Sequence, residues 1–321
     1  MRLHSPSPLP LARTEMLIGS GSHVYEVIDD WGNLPSGLTL GTTHGVVEDS
    51  DGRIYIHHTN SPSVFVFNPD GTFVEAWGDR YAEHAHGMHL ARERDGEYLY
   101  LAATRHHFVA KTTLAGDEIF RIGAPELPEI YNDDHPFVPT ETTIAPNGDI
   151  YITDGYGEPW VHQYRSDRTY VRSFGGLGSE PGKINNPHGI TIDPRHTEPR
   201  LTVADRKNSR LQYFSLTGEH IGFLDHDLRL PCTAEYHDGE TYVPDLHSRL
   251  TVFDSSDNLI VHLGDWPGCW DHEDWPNLPK SAWVSGQYSS PHDLHVDGDG
   301  NIYLVEWLPQ IGGKITKLVR Q

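Results

Sequence analysis

Hydrophobic residues in this chain fall into short runs separated by turn residues, and one arrangement of runs recurs along it. A short apolar strand is followed by an Asp-Gly or Asn-Gly turn and an Ile/Leu-Tyr-aliphatic run, and two further strands close the unit near a glycine. The clearest copy turns at residues 147–148, continues as Ile-Tyr-Ile at 150–152 and ends at 173–175. Short apolar runs joined by X-Gly turns are typical of antiparallel β-hairpins.

The unit occurs six times, with first strands that begin at residues 44, 86, 140, 188, 232 and 292. A repeat of roughly 40 to 60 residues with four short strands is typical of the blades of a β-propeller. The sixth copy ends after its third strand, whereas residues 25–31 resemble the missing outer strand. We therefore predict one all-β domain over residues 1–321, a six-bladed β-propeller whose ring is closed by an N-terminal strand, with residues 1–15 as a loose lead-in.

Two long connections interrupt the repeat, near residues 124–138 and 265–290. Long loops in a compact domain are often functional, so we expect both to lie over one face of the ring. The second is rich in tryptophan, proline and acidic residues and is a candidate lid.

The charge balance narrows the range of partners. Asp and Glu number 46 against 24 Lys and Arg, a net charge of −22. This acidity repels nucleic-acid phosphates and anionic membranes, so we expect neither as a partner.

No apolar run approaches the ~20 residues of a membrane span. The two cysteines fit a reducing compartment. We expect a cytoplasmic protein that binds a small-molecule substrate, and the sequence leaves its oligomeric state open.

Histidine is unusually frequent, with 22 residues, and several histidines occupy one repeat position. The first position of successive repeats reads His44, His86, Thr140, His188, Cys232 and His292. In a propeller this position faces the central channel, so His86, His188 and His292 on alternate blades would converge with threefold symmetry. Three imidazoles with an open fourth position are typical of a catalytic zinc site. The alternative is a polar channel without metal.

Two further channel residues have open roles. His44 would add a fourth imidazole, as a ligand, an acid/base group or a substrate contact. Cys232 would be a soft ligand or a packed core residue.

Four short motifs extend this interpretation: Pro-His-Gly at 187–189, Pro-His-Asp at 291–293, Thr-Asp-Gly-Tyr at 153–156 and Val-Ala-Asp-Arg at 203–206. They resemble the NHL-repeat propellers, and among these the peptidyl-α-hydroxyglycine α-amidating lyases, which cleave the N–C bond of a carbinolamide to give an amide and glyoxylate. The resemblance is closest over residues 136–225 and 288–305.

The resemblance implies a role for each matching residue. It makes His86, His188 and His292 the zinc ligands, Tyr156 the catalytic tyrosine and Arg206 an active-site arginine that can hold a carboxylate. Asp293 would help to hold a calcium ion together with backbone carbonyls of Val46 and Met88. We expect Tyr156 to act as a base if the metal and Arg206 lower its pKa.

The chain also departs from the family pattern. Thr59 stands where the family has a second active-site arginine. The positions of the family's disulfide cysteines are occupied by other residues, namely Phe137, Gly157, Thr202 and Tyr213. The missing disulfides agree with a cytoplasmic location.

These observations predict a metal-dependent lyase that acts on a small carbinolamide-like or hydroxy-acid substrate in the central channel. Its expected cofactors are a divalent transition metal, Zn first, and a structural Ca. His44, Tyr156 and Arg206 form the catalytic set. One alternative is a lyase, hydrolase or epimerase that acts on a sugar or lactone with the same metal. The other is a non-catalytic NHL protein-binding scaffold.

Overall fold

The computed structural model describes residues 16–321, so the lead-in predicted for residues 1–15 lies outside the described residues. Residues 16–321 form six antiparallel sheets of four or five strands and contain no α-helix. The predicted six-bladed β-propeller is therefore confirmed. Within this range, no helix has the length and apolar character needed to cross a membrane.

The strands of blades one to five follow one another outward from the channel in chain order. An N-terminal hairpin precedes them, formed by β1 (Leu17–Ser20) and β2 (His23–Ile28). Blades one and two consist of β3 (Thr43–Glu48), β4 (Ile54–His58), β5 (Val64–Phe67), β6 (Phe73–Trp77), β7 (Ala85–Glu93), β8 (Gly96–Ala103), β9 (Phe108–Thr113) and β10 (Glu118–Ile122). Blades three and four consist of β11 (Glu141–Ile144), β12 (Ile150–Asp154), β13 (Trp160–Tyr164), β14 (Tyr170–Gly175), β15 (Pro187–Asp193), β16 (Arg200–Asp205), β17 (Arg210–Ser215) and β18 (His220–Leu224).

Blades five and six complete the ring. They consist of β19 (Glu235–His237), β20 (Glu240–Asp245), β21 (Arg249–Phe253), β22 (Leu259–Leu263), β23 (Pro291–Val296), β24 (Ile302–Glu306) and β25 (Lys314–Arg320). Short 3-10 turns lie at Asp79–Tyr81, Thr104–His106, Arg206–Asn208, Cys269–Asp271 and Lys280–Ala282.

Blade six takes its outer strands from the beginning of the described chain. β2 pairs antiparallel with β25, with Tyr25 opposite Arg320, and β1 adds a fifth strand. Closure by an N-terminal strand is therefore confirmed, although the strand ends before Trp31. Trp31 instead packs into the core between blades six and one, where its ring centroid lies 5.0 Å from that of Tyr303.

The Ile/Leu-Tyr-aliphatic runs form second strands that are buried on both faces. All residues of β12 are buried, whereas the outer strand β10 alternates between partly buried and exposed positions. Because a blade packs against two neighbours, its middle strands need apolar side chains in both directions. The turn before β12 depends on Gly148, whose φ of 86° lies in the left-handed region that glycine adopts freely.

The hydrophobic core is divided into six clusters, one between each pair of neighbouring blades. Between blades three and four, for example, Tyr151 and Val161 pack with Ile190 and Phe214. These interfaces fix the rotation of each blade about the axis. Residues at equivalent positions of the first strands therefore lie at equivalent angles around the channel.

The face on which the first strands begin, here called the upper face, carries the connections between blades. It includes both long insertions, because β10 and β22 end on this face and β11 and β23 begin on it. The second insertion, between β22 and β23, is folded: Cys269 and Leu278 are buried. Its Trp275 ring centroid lies 6.4 Å from that of Trp307 in blade six.

Candidate active site

Four histidines meet at the upper end of the channel, where the first strands begin. His86, His188 and His292 are each 3% exposed, and their ring centroids form a triangle with sides of 4.8, 4.8 and 5.0 Å. The ring of His44 lies 4.8 Å from those of His86 and His292. The structure thus brings together the histidines selected by the repeat register. We call these four rings the histidine centre.

Hydrogen bonds determine which nitrogen of each ring is free. The Nδ1 atom of each ring in the triangle lies against the backbone carbonyl of the equivalent residue in the next blade. The pairs are His86 with Thr140 (2.7 Å), His188 with Cys232 (2.8 Å) and His292 with His44 (3.0 Å). A carbonyl only accepts hydrogen bonds, so each Nδ1 carries the proton and each Nε2 keeps a lone pair. For the triangle, blades two, four and six therefore contribute rings and blades one, three and five contribute carbonyls, and blade one adds the ring of His44 to the centre.

Glycine after the histidine allows this close approach between blades. A Cβ atom at Gly189 would lie 2.5 Å from the Cys232 carbonyl oxygen and 2.6 Å from Cβ of Thr233. Such separations are too short for any larger residue. The Pro-His-Gly motif therefore has a structural explanation: the glycine leaves room for the carbonyl that His188 needs.

The free nitrogens of the histidine centre outnumber the protons available to them. Burial lowers the pKa of His86, His188 and His292 well below the usual value, so the rings are neutral. The Tyr156 hydroxyl lies 3.0 Å from Nε2 of His86 and 3.1 Å from Nε2 of His188, yet its one proton serves only one of them. Nε2 of His292 is buried and has no hydrogen-bond partner among residues 16–321. Neutral imidazoles with free lone pairs are zinc donors, so the chemistry of these residues suits a zinc ion. Among residues 16–321, however, the donor sets that lie within 4.8 Å combine His292 with His44 and His86, or with His188 and Cys232, and not with His86 and His188 together.

His44 and Cys232 both reach the same place. The donor atoms of His44, His86 and His292 lie within 4.8 Å of one another, as do those of His188, Cys232 and His292. Burial lowers the pKa of His44 to about 3, so its ring is neutral. Burial raises the pKa of the Cys232 thiol to about 12. His44 therefore offers a lone pair directly, whereas Cys232 must first lose a proton.

Tyr156 lies on the upper face, just after β12, and is 43% exposed. Its oxygen is the atom that contacts both His86 and His188. Burial raises the pKa of Tyr156, and the nearby Arg206 guanidinium lowers it. The expected lowering therefore does not arise from Arg206 alone, because the loss of hydration at the hydroxyl, which faces the buried imidazoles, outweighs it. A cation at the histidine centre would act in the same direction as Arg206.

Arg206 is held beside Tyr156 by a residue that the sequence analysis did not select. Nη2 of Arg206 lies 3.5 Å from the Tyr156 hydroxyl, and its Nε donates to Oδ1 of Asn186 at 2.7 Å. The Asn186 amide donates in turn to the carbonyl of Gly155. Asn186 therefore links Arg206 to the residue before Tyr156. Its only signal in the sequence is its place just before the Pro-His-Gly motif.

A buried carboxylate shapes the loop that carries Tyr156. Asp154 accepts hydrogen bonds from the backbone N–H groups of Val138 (2.7 Å), Glu158 (2.9 Å) and Gly157 (3.1 Å) and from the Tyr131 hydroxyl (2.7 Å). Buried acids occupy the same position in the next three blades, namely Asp205, Asp245 and Glu306. The acid at the end of each of these second strands is thus a structural element of the repeat.

Asp293 is bound to backbone groups next to the histidine centre. Its carboxylate accepts hydrogen bonds from the N–H groups of Val46 and Leu294, both at 2.9 Å. Burial raises the pKa of Asp293 and of Glu141, the second channel carboxyl group, well above the usual range, and the charge of Asp293 adds to the effect on Glu141. Within residues 16–321, the converging donor groups do not include Asp293. Its role in holding calcium stays a prediction.

A cleft of about 650 Å³ opens above the histidine centre on the upper face. Its inner end is formed by His44, His86 and Tyr156. Residues further along it include Thr59, Glu83, Arg105, Val138 and Trp307. The insertion predicted as a lid contributes no lining residue to this cleft and lies beside it, where Trp275 contacts Trp307. The sequence analysis did not find Glu83, Arg105 or Trp307, because all three lie in connections between strands, which the repeated strand pattern does not describe.

The fold and the histidine centre together define a class of protein: a six-bladed β-propeller with histidines from alternate blades at one end of its channel. No protein-family profile matches the chain. Its homologues include NHL repeat-containing protein 3 from Homo sapiens, which is 31% identical over 225 residues, 65% of this chain and 60% of that protein. They also include peptidyl-alpha-hydroxyglycine alpha-amidating lyase 1 from Drosophila melanogaster, 24% identical over 188 residues, 53% of this chain and 33% of that one.

The chain spans less than two thirds of the length of either relative. Among solved structures, the gluconolactonase of Xanthomonas campestris superposes over 100% of both chains with a TM-score of 0.65 and 12% identity. At that identity the superposition shows a shared fold. The chain is thus similar in sequence to a protein named as a lyase and similar in fold to a gluconolactonase.

Proposed function

We propose that the protein is a metal-dependent lyase that cleaves the C–N bond of N-acyl-α-hydroxyglycine-like substrates. The observation that carries the proposal is the position of the Tyr156 oxygen. It lies between Nε2 of His86 and Nε2 of His188 and within 3.5 Å of Nη2 of Arg206. A base, a cation site and a carboxylate-binding group therefore face one reacting centre.

Each residue has a separate role in the proposed reaction. A zinc ion held by His86, His188 and His292 would supply Lewis acidity at the substrate hydroxyl. The Tyr156 oxygen, as phenolate, takes the proton of the carbinol hydroxyl. The electron pair of that O–H bond forms the C=O bond of the aldehyde as the C–N bond breaks, and the Tyr156 hydroxyl passes its proton to the departing amide nitrogen, which restores the phenolate. The products are an amide and glyoxylate, and Arg206 holds the carboxylate throughout.

The alternatives predict different behaviour of the same residues. A lactonase would hydrolyse lactones with the same metal and would leave α-hydroxyglycine derivatives intact. A protein-binding scaffold needs neither a tyrosine nor an unsaturated set of nitrogen lone pairs at the end of its channel. The excess of acceptors over protons at the histidine centre therefore supports an enzyme.

The test combines metal analysis with a substrate panel. Purified protein, stripped and reloaded with Zn²⁺, is incubated with N-benzoyl-α-hydroxyglycine and, separately, with gluconolactone. We expect about one zinc per chain and release of benzamide and glyoxylate. The variant His188→Ala should lose both, whereas His196→Ala, at a surface histidine with 45% side-chain exposure, should lose neither. Turnover of the lactone alone, or zinc retained in His188→Ala, would contradict the proposal.

A further inference from the structure

The cleft is larger than the reacting group requires. Pockets of about 300–1,000 Å³ hold ligands of drug size, and the cleft of about 650 Å³ lies within this range. An α-hydroxyglycine unit at His86 and Tyr156 would fill only its inner end. Its remaining length is available to the acyl group on the substrate nitrogen.

Two oppositely charged residues line the cleft, and the described part of the chain gives neither of them an ion pair. Arg105 lies in the 3-10 turn that follows β8, and Glu83 lies in the connection between blades one and two. Both side chains are exposed. Among residues 16–321, neither forms an ion pair, with the other or with any third residue.

Backbone hydrogen bonds hold both residues in place. The N–H and the hydroxyl of Thr104 donate to the His84 carbonyl at 3.0 and 3.2 Å, which joins the two segments. The N–H of Glu83 donates to the Thr59 carbonyl at 2.7 Å. The two backbones are therefore fixed side by side, while the charged side chains remain available to a ligand.

From this juxtaposition we infer that the outer part of the cleft binds a zwitterionic, amino-acid-like terminus, with its carboxylate on Arg105 and its ammonium group on Glu83. The inference rests on the proposed function only for which end of the ligand reaches the histidine centre. A ligand with a single charge would satisfy one residue and bring a like charge towards the other. A zwitterion satisfies both. Trp307 supplies an apolar surface in the same cleft.

The test uses unreactive glycine analogues, so it does not depend on turnover. Four probes share one head group and differ in the acyl terminus: γ-glutamylglycine (zwitterion), N-succinylglycine (anion), N-(4-aminobutanoyl)glycine (cation) and N-butanoylglycine (neutral). Binding to the zinc-loaded full chain is measured by calorimetry. We expect γ-glutamylglycine to bind on the order of tenfold more tightly than N-butanoylglycine, as two partly exposed charge-assisted contacts would give.

Variants then separate the two contacts. Arg105→Gln should weaken binding of the zwitterionic and anionic probes by about threefold and leave the cationic probe unaffected. Glu83→Gln should weaken binding of the zwitterionic and cationic probes by about threefold and leave the anionic probe unaffected. Arg94→Gln and Glu75→Gln remove exposed charges away from the cleft and should change nothing.

Three results would overturn the inference: equal affinities for the four probes, no binding of any probe, or variants that weaken all probes alike. Failure of the lyase proposal would look different. The probe preferences would persist, but the matching γ-glutamyl-α-hydroxyglycine would release no glyoxylate.

Discussion

The Tyr156 oxygen contacts three groups at once, Nε2 of His86, Nε2 of His188 and Nη2 of Arg206. The two histidine nitrogens can accept a hydrogen bond from this oxygen, and the guanidinium can donate one to it. The oxygen is therefore placed both to donate and to accept hydrogen bonds. A phenolate would accept from Arg206 and from the substrate, and a phenol would donate to a histidine. In the proposed reaction, the protonation state of Tyr156 would therefore decide whether its oxygen can take the substrate proton.

Replacing Tyr156 by phenylalanine tests this role directly. Tyr156→Phe removes one hydroxyl and keeps the ring, so folding and zinc content should persist while kcat falls by about 10²–10⁴-fold, the usual contribution of a general base. Steady-state kinetics and elemental analysis of the same preparation are the measurements. Unchanged kcat in a zinc-loaded Tyr156→Phe protein would exclude the tyrosine as the base.

Arg206 should behave differently, because a carboxylate contact acts on the bound substrate as well as on the transition state. For Arg206→Ala we expect KM to rise and kcat/KM to fall about 10- to 100-fold on substrates with a carboxylate. The amide analogue, which lacks the negative charge, should be nearly unaffected. An equal loss on both substrates would show that Arg206 acts on Tyr156 alone.

The histidines were found from the sequence because the repeat sets their place, whereas Tyr156 and Arg206 were found from the family resemblance. One repeat position is shared by His86, His188 and His292. Because the blades are arranged in a ring, equivalent positions on alternate blades form a triangle. Asn186 and Arg105 could not be found in the same way. They lie in connections whose course depends on loop hydrogen bonds that no periodic pattern records.

At the scale of the element, each first strand that carries a histidine depends on a carbonyl at the first position of the next blade. β15 brings His188 to the channel, and the chain before β19 brings the Cys232 carbonyl to the His188 Nδ1. Gly189 sits at the contact between them. In the sequence, Gly189 is only the last residue of the Pro-His-Gly motif, whereas the structure shows a spacing requirement, since this contact joins strands from different blades.

Gly189→Ala should therefore weaken metal binding without touching a ligand. The new Cβ must displace the Cys232 carbonyl or the Thr233 side chain, and loss of an outer hydrogen bond to a metal-binding histidine typically lowers affinity about 10- to 100-fold. A competitive zinc titration with a chelator measures this. Gly222→Ala is the matched control, because a Cβ there meets nothing within 4 Å. Equal zinc affinities in both variants would contradict the expectation.

For the whole molecule, the ring is closed by hydrogen bonds between the two ends of the described chain. Tyr25, fully buried in the cluster between blades five and six, adds side-chain packing to the β2–β25 pairing. The sequence predicted this closure from an incomplete sixth repeat. It did not predict β1, because Leu17–Ser20 has no counterpart in the other blades.

Two truncations separate the contributions of the hairpin strands. Removal of residues 1–21 takes away β1 and should leave a cooperative thermal transition close to that of the full chain. Removal of residues 1–30 also takes away β2 and exposes β25, so Tm should fall by on the order of 10 °C and aggregation should increase. Scanning calorimetry with light scattering compares them. If both proteins melt alike, the closure by β2 is not what stabilises the ring.

The alternation of rings and carbonyls around the channel divides the six blades into two interleaved sets. In blades one, three and five, backbone carbonyls accept the hydrogen bonds that orient the histidines of the other three blades. The side chains at positions 44, 140 and 232 can therefore change without loss of these hydrogen bonds. Those positions are now His, Thr and Cys. A combinatorial library randomised at these three sites would vary the chemistry around an unchanged triangle. The propeller is thereby a scaffold for directed evolution, with one set of blades to conserve and another to diversify.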